Sequence, residues 1–204
     1  MRIKKRALQQ ICWFVIIVAL VNIGGWLADI EFLKSGIPGL ASMKVNTAIC
    51  LMLCAVVVLL FDHDAHKHFN TILPLNIIVL VISSLTIFEH IFDVNLNIDE
   101  FMVEEETTNV MPGRMALTSA TCLALLATGF SMVIVQLRGF FNIVSRACFY
   151  FVTLIAFLAL VGYIFNIPSL HNLSLSKSMA LITAISLLPL SLAYSSLLPV
   201  RVNR

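Results

Sequence analysis

Two segments of this chain hold acids, bases and imidazoles close enough together to do chemistry. The first reads Glu89-His90-Ile-Phe-Asp93-Val-Asn-Leu-Asn-Ile-Asp99-Glu100, runs on through Glu104-Glu-Glu106 and closes on Pro112-Gly-Arg114-Met115. Glu89 and Asp93 are four residues apart, so a helix would set them on one face. Ionised groups in apolar surroundings need partners, and Arg114 can pair with Glu89, Asp93 or Asp99 to close a hairpin. The same cluster can also serve as the polar end of a ligand cavity, and the two roles are compatible. The second segment is Asp62-His63-Asp64-Ala-His66-Lys-His68. Its imidazoles and carboxylates are of the types that could bind a divalent transition metal, with His63 and His66 at a helical spacing of three. A solvated loop of this composition more often caps helices and meets phospholipid head groups. No metal is therefore assigned, and His63, His66 and His68 are the residues that would hold one. His171 stands alone.

Other chemistry finds no support. The five cysteines, Cys12, Cys50, Cys54, Cys122 and Cys148, all sit inside apolar runs, so no exported disulfide framework is implied and they read as small hydrophobes. There is no Cys-x-x-Cys-His motif and no phosphate-cradling glycine loop. A nucleophile, a base and a group to orient it cannot be assembled, so the chain is not expected to be an enzyme.

These clusters must be positioned by elements that live in lipid. Apolar residues make up 60% of the chain and charged residues 12%, too few to cover a water-facing surface. The net charge of +2 and the lack of a basic patch interleaved with aromatics exclude nucleic acid as a partner. Apolar stretches run approximately over 11–27, 43–61, 73–91, 115–137, 141–165 and 179–198. Each approaches the roughly 20 residues a helix needs to cross about 30 Å of hydrocarbon. None alternates with the period of a membrane strand. The expectation is an all-α integral membrane protein with six spans. The basic start Met1-Arg-Ile-Lys-Lys-Arg6 resembles a signal peptide but lacks a clean cleavage site, so the first helix is expected to be retained. Arg2, Lys4, Lys5, Arg6, Lys67, Arg138, Arg146, Arg201 and Arg204 fall on one side, and Lys34, Lys44, Arg114 and Lys177 on the other. Positive charge marks the cytoplasmic side, which puts both termini in the cytoplasm.

One phrase recurs three times, at Met43-Lys-Val-Asn-Thr-Ala-Ile-Cys-Leu51, Met115-Ala-Leu-Thr-Ser-Ala-Thr-Cys-Leu123 and Met179-Ala-Leu-Ile-Thr-Ala-Ile-Ser-Leu187. Before each copy an outward run ends in an aromatic ring, two residues and then Asp or Asn: Trp26-Leu-Ala-Asp29, His90-Ile-Phe-Asp93 and Tyr163-Ile-Phe-Asn166. The chain therefore divides into three helical hairpins, at approximately 8–68, 69–139 and 140–204, with three similar corners at the outer face. Pro38, Pro112 and Pro168 fall in the outer loops, Pro74 at a helix start, and Pro189 inside the last helix, where a kink is expected. Thr47, Ser119 and Thr183 stand in the repeated Ser/Thr-Ala pair, where small residues let helices approach. They could instead line a shared cavity. Trp26 and Tyr163 read as interfacial aromatics, and with His90 they could also face a ligand.

The residues Gly25-Trp-Leu, Leu33-Lys-Ser, Pro38-Gly-Leu and Met43-Lys-Val-Asn-Thr-Ala48 resemble the first repeat of a bacterial multi-pass sensory region found ahead of PAS, histidine-kinase or diguanylate-cyclase (GGDEF) modules. Ile98-Asp99 before Pro112-Gly-Arg-Met115 is similar to the second repeat. Gly162-Tyr-Ile-Phe-Asn-Ile-Pro-Ser-Leu170 with Met179-Ala-Leu-Ile-Thr-Ala184 is similar to the third. The chain departs from the pattern at Thr118-Ser119, where Asn-Thr is usual, and at Lys44-Val45, where Lys-Pro is usual. The resemblance implies a signal-input domain of a bacterial inner membrane whose signal is mostly undefined in the family, so no family ligand is carried over. An output module is expected after residue 204, and the chain is expected to form a homodimer. The expected ligand is a small apolar or amphiphilic molecule reaching Trp26, Glu89, His90, Asp93, Asp99, Arg114, Tyr163, Thr47, Ser119 and Thr183, and no cofactor is specified. The alternatives are a small transporter or channel subunit, for which deep polar groups are scarce, and a redox sensor holding quinone or haem.

Overall fold

The computed structural model describes residues 5–94, 96, 113–135, 140–167 and 178–198. Asp99, the acidic run Glu104–Glu106 and His171 lie outside the described residues. Within them every regular element is a helix: α1 Lys5–Leu27, α2 Glu31–Ser35, α3 Val45–Asp64, α4 Phe69–Phe92, α5 Leu117–Ile134, α6 Phe140–Ile164 and α7 Leu181–Leu197. Five of them (α1, α3, α4, α5 and α6) are long and apolar enough to cross a membrane, with mean hydropathy of 1.8 to 2.3. They make the chain a helical membrane protein. The seventh helix is equally apolar but spans 17 residues.

The helices fall into an inner and an outer set. The inner helices α3, α5 and α7 all touch one another. Each outer helix packs on its own hairpin partner and on one further inner helix: α1 on α3 and α7, α4 on α5 and α3, α6 on α7 and α5. An inner helix is thus covered on most sides, and this explains the small residues of the repeated phrase. Ala48, Ala120 and Ala184 are completely buried, as are Cys50, Cys122 and Ser186 two residues on. In hydrocarbon no hydrophobic force drives helices together, so close backbone approach and dispersion must do so. Tyr194 fills the middle of the bundle. Its ring lies edge-on to Phe130 at 4.9 Å and near Phe149 at 5.4 Å, and its hydroxyl donates to the Cys54 carbonyl at 3.2 Å. The outer helices turn Trp13, Ile17 and Leu20 of α1, Ile77, Val81 and Phe88 of α4, and Phe151, Leu154 and Phe157 of α6 away from the protein. Stripes of that size belong against acyl chains, not water.

Two local features differ from the sequence reading. The first outer loop contains α2, whose five residues are too few to leave a periodic signal. Pro74 lies in the second turn of α4 rather than at its start, because α4 begins at Phe69, before the apolar run.

Where α5 crosses α6, a Cβ on Gly129 would lie 2.9 Å from the Phe149 ring and 3.3 Å from the Cys148 Cβ. Gly129→Ala should therefore lower stability by about 1–3 kcal/mol through overpacking. Gly24→Ala, with nothing within 4 Å of the new methyl, should raise it by about 0.4–1 kcal/mol. Thermal unfolding of both variants in nanodiscs checks the pair, and equal effects would contradict this packing.

Candidate functional site

The three corners share one geometry. Each inner helix starts two residues after its methionine, at Val45, Leu117 and Leu181, and the residue between is extended. The first carbonyls to enter the helical ladder are those of Lys44, Ala116 and Ala180, which accept from Ala48, Ala120 and Ala184 at 3.0, 3.0 and 3.1 Å. The carbonyl just before, on Met43, Met115 or Met179, falls outside the ladder. These methionines are almost fully buried, so that oxygen needs a donor. The aromatic residue ending the preceding helix supplies it every time. Trp26 Nε1 donates to Met43 O at 2.8 Å, His90 Nε2 meets Met115 O at 2.9 Å, and Tyr163 Oη donates to Met179 O at 2.5 Å. A carbonyl can only accept, so the His90 proton sits on Nε2.

The Asp or Asn three residues on has its own part. Asp29, Asp93 and Asn166 have φ of 53°, 53° and 51°, the left-handed region that Asp and Asn tolerate best among residues with a Cβ. This ends the outer helix and turns the chain. In the first and third corners the residue after it donates back five positions, Ile30 N to Gly25 O at 2.9 Å and Ile167 N to Gly162 O at 2.8 Å. Asp93 is exposed and spent as a helix terminator. The expectation that it shares a helical face with Glu89 fails for that reason: the helix stops at Phe92.

The corners differ in what surrounds this frame. In the first, Asn22 Nδ2 donates to the carbonyls of Leu33 and Lys34 at 3.2 and 3.1 Å, fixing α2 against α1. A Cβ on Gly25 would run into Leu33. The ammonium groups of Lys34 and Lys44 lie 4.5 and 5.0 Å from the centre of the Trp26 ring, and Lys34 also pairs with Asp29. That bond and the Lys34 charge hold the exposed Asp29 carboxyl below its usual range.

The second corner carries charge where the others carry almost nothing. Counted from the aromatic residue, Glu89 stands at the position of Gly25 and Gly162. Counted from the methionine, Arg114 stands at the position of Ser42 and Ser178. Glu89 is fully buried and Arg114 is 4% exposed. Arg114 Nε lies 3.9 Å from Glu89 Oε2, and its terminal nitrogens donate to Val94 O at 2.7 Å and Glu89 O at 3.4 Å. The other carboxylate oxygen accepts from Leu96 N at 2.8 Å. Among the described residues, Glu89 Oε2 has no hydrogen-bond donor of its own, and the buried Thr86 hydroxyl one turn earlier has no hydrogen-bond partner. Of the residues named from the sequence, the structure thus gathers Glu89, His90 and Arg114.

The remainder are dispersed. Trp26 and Tyr163 belong to the other corners. Thr47, Ser119 and Thr183 are buried near the start of the inner helices. Among the histidines of the α3–α4 turn, the His63 and His68 rings are 5.7 Å apart, and among the described residues no three His, Cys, Asp or Glu side chains are grouped to hold a metal. The sequence reading missed what the methionines do. The signal was present, since an aromatic donor precedes each of the three copies.

No protein-family model, curated protein or solved structure matches this chain.

Removing one partner of a buried ion pair costs about 3–5 kcal/mol. Arg114→Ala should lose stability on that scale, and Glu89→Gly with Arg114→Ser, the residues of the sister corners, should recover most of it. Thermal unfolding of single and double variants tests this, and a double variant no more stable than Arg114→Ala would contradict it. Tyr163→Phe, which leaves the Met179 carbonyl without its donor, should cost about 1–3 kcal/mol in the same assay.

Proposed function

We propose that this chain is the membrane-embedded signal-input region of a bacterial sensor, of the kind that drives a histidine kinase or diguanylate cyclase. In this reading its six apolar helices span the inner membrane as three repeated hairpins, both termini are cytoplasmic, the three corners face outward and the protein works as a homodimer. The distribution of Lys and Arg supports the orientation, and the recurrence of one hydrogen bond and one left-handed residue in all three corners supports the repeat.

One observation carries the functional reading: the Glu89–Arg114 pair. Two sister corners close by the same aromatic-to-carbonyl bond with glycine and serine at those positions, so the architecture does not require the charges. A buried ion pair gains little stability over apolar side chains of similar size, and ionisable groups in membrane helices mark functional sites by default. The pair is the polar anchor for the head of a small amphiphilic ligand whose apolar part lies between the helices. Binding favours one arrangement of the second hairpin over another, and α5 passes the difference to the inner helix α7, which it touches. A tenfold bias in output needs a differential affinity of only about 1.4 kcal/mol, within the reach of a single hydrogen bond.

The test uses the full-length protein with its output activity measured across inducing conditions. Glu89→Gln, which keeps shape and removes charge, should hold output at one level while the protein still inserts. Gly24→Ala should leave the response intact. A Glu89→Gln variant with an unchanged response would overturn this reading. Impermeant maleimide should label Gly39→Cys from outside intact cells and leave Lys67→Cys unlabelled, and the reverse would overturn the orientation.

A further inference from the structure

A cavity of about 560 Å³ opens at the end of the bundle opposite the three corners, between the α3–α4 turn and the end of α5. Phe61, Ile72, Val133 and Ile134 form its floor, and His66 and Asn70 stand at its rim. That volume lies within the range of roughly 300–1,000 Å³ typical of small-molecule sites. The lining is graded by depth. Ile72 and Ile134 are buried in the helix interface, whereas His66 and Asn70 are exposed. The side chains of the floor are all apolar and suit a hydrocarbon chain. The rim offers an imidazole and a carboxamide that can donate, and Lys67 follows His66 in the turn. The acidic side chains of this turn face partners within the protein. Asp64 accepts from the backbone N–H groups of His66 and Lys67, both at 3.1 Å, and Asp62 faces Lys5 at 3.8 Å.

We propose that this cavity binds an anionic amphiphile, its acyl chain on Phe61, Ile72, Val133 and Ile134 and its carboxylate or phosphate head at His66 and Asn70. A free fatty acid and an anionic phospholipid of the bilayer share this chemistry. The charged turn places the rim at head-group depth, where either arrives by lateral diffusion. Because the lining comes from α3, α4 and α5, an occupant ties the first hairpin to the second at the end remote from the Glu89–Arg114 pair. The site is independent of that pair and stands whether or not the chain is a sensor.

The experiment photolabels the protein in phosphatidylcholine nanodiscs with a diazirine-bearing palmitate and maps the modified peptides. Label should concentrate on 61–72 and 133–135 over the lipid-facing stretch 150–157. Val133→Trp, which fills the cavity, should abolish that excess, and His66→Glu, a surface change that keeps the fold and repels an anion, should reduce it several-fold. Displacement by phosphatidylglycerol in the nanodisc identifies a bilayer lipid as the occupant, and displacement by unlabelled palmitate alone identifies a free fatty acid. Uniform labelling of cavity and lipid-facing helices, or labelling untouched by both substitutions, would overturn the proposal.

Discussion

A helix that starts inside a membrane protein leaves the carbonyl before its first turn without a partner, and no water is at hand to supply one. The cost of such an oxygen in an apolar setting is several kcal/mol, comparable to a sizeable part of a domain's whole stability. This chain meets that constraint three times with the same device. An indole, an imidazole and a phenol each carry one polar hydrogen at the end of a large apolar body, and each ends the outer helix facing a methionine carbonyl. The bond fixes where the inner helix begins, and so which of its faces meets its neighbours. The buried alanines and the small residues two positions on follow from that register.

With the frame satisfied identically at three corners, the differences between corners become informative. The first is closed by α2 and by two ammonium groups on the Trp26 ring. The second replaces glycine and serine with a buried glutamate and arginine. These charges lie beside the shared bond, His90 being next to Glu89 in sequence, so a change in the pair acts directly on the joint between α4 and α5. The cavity at the other end touches the same two helices. The second hairpin is therefore the element on which both polar features converge.

Much of the fold was legible because lipid simplifies the code. Long apolar runs became helices close to where they were drawn. The boundaries moved at Lys5, Asp64 and Phe69, where polar residues extend a helix past its apolar part. The repeated phrase was visible as letters, but its meaning was not. Aromatics at a membrane boundary are common enough that Trp26 and Tyr163 read as interfacial anchors, and a backbone acceptor leaves no trace in sequence. Asp93 was misjudged because its left-handed conformation removes it from the helix whose face it seemed to share. The pairing of Glu89 with Arg114 was one of three options open in the sequence; the structure shows it, held by backbone contacts at Val94 and Leu96, while the Asp99 option lies outside the described residues. The cavity beside His66 could not be foreseen, since its lining comes from three helices, α3, α4 and α5, and the turn between two of them.

The most direct measurement is a dipolar-recoupling distance in lipid bilayers between the 15N-labelled side chains of Trp26 and His90 and the 13C-labelled carbonyls of Met43 and Met115. The account predicts a short nitrogen-to-carbonyl distance at both corners, as hydrogen bonds of 2.8 and 2.9 Å require. Absence of coupling at either corner in folded protein would contradict it.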